Sequence, residues 1–353
     1  MYLGMAYLKE KVAVMISNMK KMIRLLAIML PNCIYKYLEP VLIKVISSDW
    51  TELVRVERFK RSLLRSFDDV CDTLRANRKC MLIETGDYGY SYFNVAYICN
   101  MLALILYALY KGCVPLIQIN QNEKDYNKWQ WFFLEPHEIL GIDIEDFEQI
   151  QCDIRNLENP PLMTMLFDLK SSDYEFWKKL CQKFVVLNTE TAEYVEQEIQ
   201  RIGNPEELLG VLIRGTDYVQ LKPPGHPVQP EPHEIIDFCK KRFASGSYQG
   251  VYVATEEKAL YDMVCDSFGR ERTYENRRQY YDEVYYQSKV DLIGKIHFRR
   301  NNDNYWKSIE YLSSLIILSK CKSLVAGNCG GTLFAMFMAD YKDPYIFNCG
   351  VYE

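Results

Sequence analysis

Three short stretches hold the residues whose types and spacing can do chemistry. In Gly210-Val-Leu-Ile-Arg-Gly-Thr-Asp-Tyr218 an apolar run ends abruptly in Arg214, Gly215, Thr216 and Asp217. An arginine there can grip a diphosphate through bidentate, charge-assisted hydrogen bonds, a neighbouring glycine lets the backbone come close, and Asp217 can orient the guanidinium. The same residues also suit a plain structural ion pair. A second apolar run, Val251-Tyr-Val-Ala-Thr-Glu-Glu257, ends in Thr255, Glu256 and Glu257. These can accept hydrogen bonds from a ribose or a base, or merely cap the next helix with Thr255 as N-cap. In Leu324-Val-Ala-Gly-Asn-Cys-Gly-Gly-Thr332 the chain passes through Asn328, Cys329, Gly330 and Gly331 into a helix, and amides at a helix start suit anions. This run matches neither the GxGxxG fingerprint nor a P-loop. Cys329 has no histidine nearby in sequence to activate it as a nucleophile.

Lesser candidates lie between these stretches. His226 sits in the proline-rich Lys222-Pro-Pro-Gly-His-Pro-Val-Gln229, where it is either an ordinary loop imidazole or a proton acceptor near neutral pH. The tyrosine-rich segment 274–286, with Arg277 and Arg278, can close over a nucleotide or simply form surface. No Asp-x-Asp element stands at a strand end, and Asp143-Ile-Glu145 lies in an acidic, helical-looking stretch as a solvent-facing triplet.

The pattern of apolar residues predicts the elements that must position these groups. Residues 1–77 read as helical, 79–84 as a short buried strand, Gly86-Asp-Tyr-Gly89 as a turn, 92–110 as a long buried helix and 114–119 as the next strand. That is a β-α-β unit with a parallel, right-handed connection. Residues 121–161, including Trp129, Trp131, Phe132 and Phe133, read as irregular covering structure or an acceptor-side wall. Helical periodicity returns over 174–202 and breaks at Gly203-Asn-Pro205, where we place a domain boundary. Beyond it strands are expected at 208–213, 250–254, within 289–298, and at 323–326, with helices at 232–243, 257–268, 308–320 and 332–339. The expectation is an α/β chain of two Rossmann-like domains, 1–203 and 204–353, facing a cleft with ligands beyond the carboxyl ends of the strands.

Composition narrows the function classes. The chain has 353 residues, 49% hydrophobic and 25% charged, as in ordinary globular proteins, and its 14% aromatic content leans towards ligand handling. A net charge of −5 gives nucleic acid no global attraction. The 12 cysteines form no Cys-x-x-Cys pair and no zinc-ligand spacing, which suits free thiols in a reducing compartment. The N-terminus alternates apolar residues with lysines and shows neither a signal-peptide core nor a spanning segment, so a cytoplasmic chain is expected. Residues 1–66 hold 12 Lys and Arg against 5 Asp and Glu. This basic amphipathic start reads either as a solvated helical face or as a peripheral contact with anionic lipid on the inner membrane surface.

Taken in order, the motifs resemble the fucosyltransferase superfamily that includes α1,2- and α1,6-fucosyltransferases and protein O-fucosyltransferases. Gly86-Asp-Tyr-Gly89-Tyr-Ser-Tyr-Phe-Asn-Val-Ala is similar to the family's glycine-rich opening, and Val211 to Val219 to its "H-x-R-R-x-D" element, with Arg214 on the donor-phosphate arginine and Asp217 on the acid. Val251 to Glu257 resembles a "VYLATDD"-type strand end, and Leu318 to Thr332 the late helix, strand and small-residue loop. The departures are Ile213 and Gly215 beside the arginine, Ser314 where an acid is frequent, and Lys222 near the position of a proposed base. The resemblance implies a GT-B-like fold and an inverting glycosyltransferase without cofactor or metal, moving fucose from GDP-fucose to a glycan or glycolipid hydroxyl. Arg214, Asp217 and His226 would then serve catalysis. Gly86, Tyr88, Gly89, Gly215, Thr216, Tyr218, Thr255, Glu256, Glu257, Ser314, Asn328, Cys329, Gly330, Gly331 and Thr332 would lie against substrate. A Rossmann-type S-adenosylmethionine methyltransferase and a catalytically silent glycan or nucleotide-sugar binder remain as alternatives.

Overall fold

The computed structural model describes residues 18–23, 25–46, 48–85, 93–119, 129–151, 173–287 and 293–353. Gly86, Tyr88 and Gly89 lie outside these residues. The described chain divides into two compact units, one reaching Asn77 and including Leu109–Gly112, the other holding the rest.

The described residues of the first unit are helical, as its periodicity predicts, at 18–23 and 25–29, Asn32–Ile46, Ser48–Arg65 and Phe67–Asn77. Ala27, Ile28, Tyr35 and Val54 form its core. Arg58 donates to the carbonyls of Ala27 at 2.9 Å and Leu30 at 2.7 Å, satisfying acceptors at a helix end that have no intrahelical donor. In the last helix Asp68 and Asp69 sit in the first turn and Arg75 in the last, each complementing the helix dipole.

The second unit contains two parallel sheets. In the first, β1 (Lys79–Thr85) is flanked by β2 (Val114–Ile119) and β3 (Glu148–Gln151). The buried helix Val95–Tyr110 makes the crossover from β1 to β2, as expected. The other sheet has five strands: β4 (Leu208–Leu212), β5 (Gly250–Ala254), β6 (Thr273–Tyr274), β7 (Ser323–Gly327) and β8 (Tyr345–Phe347), in the order β6-β5-β4-β7-β8. Every residue of β4, β5 and β7 is buried, which is why these strands read as continuous apolar runs. The chain builds outward from β4 to β6 and then returns to the other side for β7, so the strand order reverses between β4 and β7. Open α/β sheets bind ligands at such a switch point. The expected boundary at residue 203 falls inside this unit, between β3 and β4.

Several expectations are corrected. The helical pattern over 174–202 is two helices, Tyr174–Phe184 and Thr189–Ile202, because Leu187 leaves to bridge Phe133 and Asn188 caps the second helix through Thr191 N at 2.9 Å. No strand forms in the described part of 289–298; Ile293–Lys295 is a 3-10 turn. Asp143-Ile-Glu145 is not helical, although both acids are exposed. Trp129, Phe132 and Phe133 are buried core rather than a covering loop. Glu257, not Thr255, is the N-cap residue of the helix Lys258–Phe268.

Candidate functional site

The register of the larger sheet assembles the site. Leu212 pairs with Ala254 on one side and Ala326 on the other, so the polar residues that follow these three strands emerge side by side. Above them lies a cavity of about 420 Å³, in the range of small-molecule sites.

Arg214 lines this cavity, with its side chain 22% exposed. One of its terminal nitrogens lies 2.6 Å from Glu256 Oε1 and the other 3.1 Å from Asp217 Oδ1. Burial alone would make the guanidinium easier to deprotonate, but Glu256 and then Asp217 outweigh it and keep the group charged. Asp217 thus contacts the arginine, as an orienting acid and a structural ion pair would alike. The same Glu256 oxygen accepts from Gly215 N at 2.9 Å and Thr216 Oγ1 at 3.1 Å, while Glu257 accepts from Thr216 N and, at 3.2 Å, from the Tyr286 hydroxyl. Asp217 Oδ2 accepts from Ile293 N at 3.0 Å. Burial raises the pKa of both Asp217 and Glu257.

This buried network explains two backbone oddities. Thr216 has φ +45°, a left-handed conformation that β-branched residues rarely adopt, and three hydrogen bonds around it hold it there. A Cβ on Gly215 would come within 2.4 Å of Glu257 Oε1. The glycine is needed for close approach of carboxylates, not only of a ligand.

The cavity wall is cationic. Arg278 and Lys307 join Arg214 on it, against one carboxylate, Glu256. Arg278 Nε is buried without a hydrogen-bond partner. Lys307 donates to the Ile296 carbonyl at 2.9 Å, and burial lowers its pKa. Two helices also start here: Gly330 and Gly331 open the helix Gly330–Met338, and Asn94, Val95 and Ala96 open Val95–Tyr110. First-turn amides have no intrahelical acceptor, and the helix dipole adds partial positive charge. The second start is held in place by Phe93, whose N donates to Ser308 Oγ at 2.8 Å and whose ring packs on Phe132, Phe133 and Tyr311. A Cβ on Gly331 would sit 3.1 Å from Leu212 Cδ1, so this turn also needs its small residue.

Tyr218 and His226 complete one wall, with ring centroids 5.5 Å apart and the Tyr218 ring 5.6 Å from the Arg214 guanidinium carbon. Burial raises the Tyr218 pKa and lowers that of His226 below the usual 6.5, so the imidazole is neutral at pH 7.

Of the residues singled out from sequence, Arg214, Tyr218, His226, Thr255, Glu256, Ser314, Cys329, Gly330 and Gly331 line the cavity. Asp217, Gly215, Thr216 and Glu257 support it from behind. Asn328 and Thr332 do not line it; the Asn328 carbonyl accepts from Gln229 Nε2 at 2.8 Å, and Thr332 Oγ1 donates to Gly327 O at 2.6 Å. Cys329 Sγ lies 3.4 Å from Thr332 Oγ1. Residues missed in the sequence are Asn94, Lys307 and Tyr311. Lys307, Tyr311, Ser314 and Leu315 fall on one face of the helix Asp303–Ser319, a spacing of i, i+4, i+7, i+8 visible in the sequence but indistinguishable there from a core stripe. Among the described residues no group of three His, Cys, Asp or Glu is placed to hold a metal ion.

Neither a protein-family model nor a curated protein matches the sequence. Solved fucosyltransferases align with this chain. POFUT1 in complex with GDP-fucose matches at 13% identity over 49% of each chain with a TM-score of 0.33, so this chain spans about half that protein's length. The NodZ α-1,6-fucosyltransferase co-crystallised with GDP matches at 11% identity, covering 73% of this chain and 92% of that one, TM-score 0.44. A point mutant of Arabidopsis thaliana FUT1 in complex with GDP matches at 12% identity, covering 83% of this chain and 77% of that one, TM-score 0.42.

Proposed function

We propose that the chain is an inverting glycosyltransferase that moves a sugar, fucose from GDP-fucose, to a glycan hydroxyl without a metal ion. The observation that carries this reading is Arg214: a charged guanidinium, fixed by two carboxylates, on the wall of a cavity at the switch point where two helices begin. In such a reaction the acceptor oxygen bonds to the anomeric carbon as the bond to the diphosphate oxygen breaks, and the leaving diphosphate takes the electron pair. The site must stabilise that growing charge. Arg214, held by Glu256 and Asp217, and the first-turn amides at Gly330 and Gly331 are in place before reaction, with Arg278 on the same wall, so little reorganisation is needed. Side chains thereby supply the positive charge that a divalent ion supplies in metal-dependent transferases.

The acceptor proton passes to His226, which is neutral at pH 7 and shares the wall with Arg214. Residues 204–353 hold the donor and earlier residues meet the acceptor. The methyltransferase alternative is disfavoured because S-adenosylmethionine carries a positive sulfonium into a wall with three cationic side chains. The test is direct. GDP and GDP-fucose should bind and S-adenosylmethionine should not, and fucose transfer should persist in EDTA. Binding of S-adenosylmethionine without GDP would reject the assignment, and donor binding without hydrolysis or transfer would leave a silent binder instead.

A further inference from the structure

Among the described residues of the helical N-terminal unit, many apolar side chains are exposed. In the helical residues 25–29, Ala27 and Ile28 turn into the core. Met19, Met22, Leu26 and Met29 recur at i, i+3, i+7 and i+10, one face of a helix, yet are 50%, 56%, 57% and 71% exposed. The next helix repeats the arrangement, with Ile34, Tyr37 and Val41 at 45%, 84% and 57%. Single exposed apolar residues are ordinary. Two runs at helical spacing on consecutive helices are not, and such surface marks a contact.

The charge around these runs identifies what they contact. Across residues 18–42 the sequence has Lys20, Lys21, Arg24 and Lys36 against one acid, Glu39, whose carboxylate already accepts from Arg55 Nε at 2.8 Å. Lys21 and Lys36 are exposed, and at about 100° per residue they lie about 120° and about 130° from the centres of the two apolar runs, beyond the edge of each run, from where a long stem can reach back past an apolar face. These cations stand against the net charge of the whole chain, −5. A second copy docking on the same face would bring its lysines towards these lysines, and within residues 18–42 the single carboxylate, Glu39, is already paired with Arg55. No described helix is long and apolar enough to cross a membrane.

We infer that this face is a peripheral docking surface for an anionic lipid bilayer. The methionines, Leu26, Ile34, Tyr37 and Val41 enter the boundary between headgroups and acyl chains, and Lys21 and Lys36 reach lipid phosphates, as an amphipathic helix lying in the interface plane requires. The inference does not depend on the reaction assigned to the cavity, and vesicle binding reads it without any turnover.

The experiment is co-sedimentation of the full chain with phosphatidylcholine vesicles, with and without phosphatidylglycerol, at low and high salt. Binding should require the anionic lipid and weaken with salt. Lys21→Ala and Lys36→Ala should each lower the partition coefficient about fivefold, and Lys21→Arg should restore it. Met22→Ser with Leu26→Ser should lower it more than tenfold, with the melting temperature and GDP binding unchanged because these side chains are exposed. Equal binding to neutral vesicles, or no binding by the full chain, overturns the proposal. So does a concentration-dependent dimer that Met22→Ser with Leu26→Ser disperses, which would give the face to a second copy.

Discussion

Replacing Arg214 by lysine tests the central contact with the least damage. Arg214→Ala would leave Glu256 and Asp217 as buried carboxylates without their cation, a loss of about 3–5 kcal/mol that would confuse folding with catalysis. Lysine keeps the positive charge but not the planar fork. One ammonium cannot span the contacts at 2.6 Å and 3.1 Å while also presenting donors to a diphosphate. The loss of one preorganised donor to a developing oxyanion is worth about 2.7–4 kcal/mol, a fall of roughly 10²–10³ in kcat. The assay is GDP release and fucose transfer under single-turnover conditions, with the melting temperature and GDP affinity measured on the same preparation. Turnover within about threefold of the parent, with folding intact, would show that this guanidinium does not meet the leaving group.

Three further outcomes follow from the same geometry. With His226 as proton acceptor and its pKa below 6.5, kcat/KM should hold steady down to that pH and fall only beneath it, while His226→Ala should be slow and lack that acid limb; an unchanged limb in the variant assigns the titration elsewhere. The same depressed pKa means that His226 costs no stability above pH 6.5 and destabilises the fold as pH falls through the folded-state value, which a series of melting curves on parent and variant will show. Gly215→Ala drives a Cβ against Glu257 and should cost about 1–3 kcal/mol, read as a lower denaturation midpoint; an unshifted midpoint would mean the carboxylate moves aside freely. Arg278→Gln should weaken GDP binding about tenfold and flatten its salt dependence, with a modest drop in melting temperature because the partly buried Glu275 carboxylate loses a neighbouring cation; unchanged affinity by calorimetry would remove Arg278 from the site.

The central strands and the arginine at the end of β4 were legible in the chain alone, because β4, β5 and β7 are buried on both faces and must be unbroken apolar runs that turn polar where they leave the sheet. The short outer strands were not. β3 is polar and mostly exposed, and β6 and β8 have only two and three residues, so pairing with a neighbour, not their own pattern, makes them strands. At the site, local sequence marked Glu256 and Glu257 as polar groups at a strand end but could not say which way they serve. The register Leu212 to Ala254 decides it, bringing both carboxylates under Arg214, Gly215 and Thr216 as supports for the binding surface. Asn94, Arg278 and Lys307 come from segments far apart in the chain, and only the folded packing brings them to one cavity. Sequence determines what each strand end can offer as a donor or a charge; which of those groups face a ligand depends on neighbours that only the tertiary structure supplies.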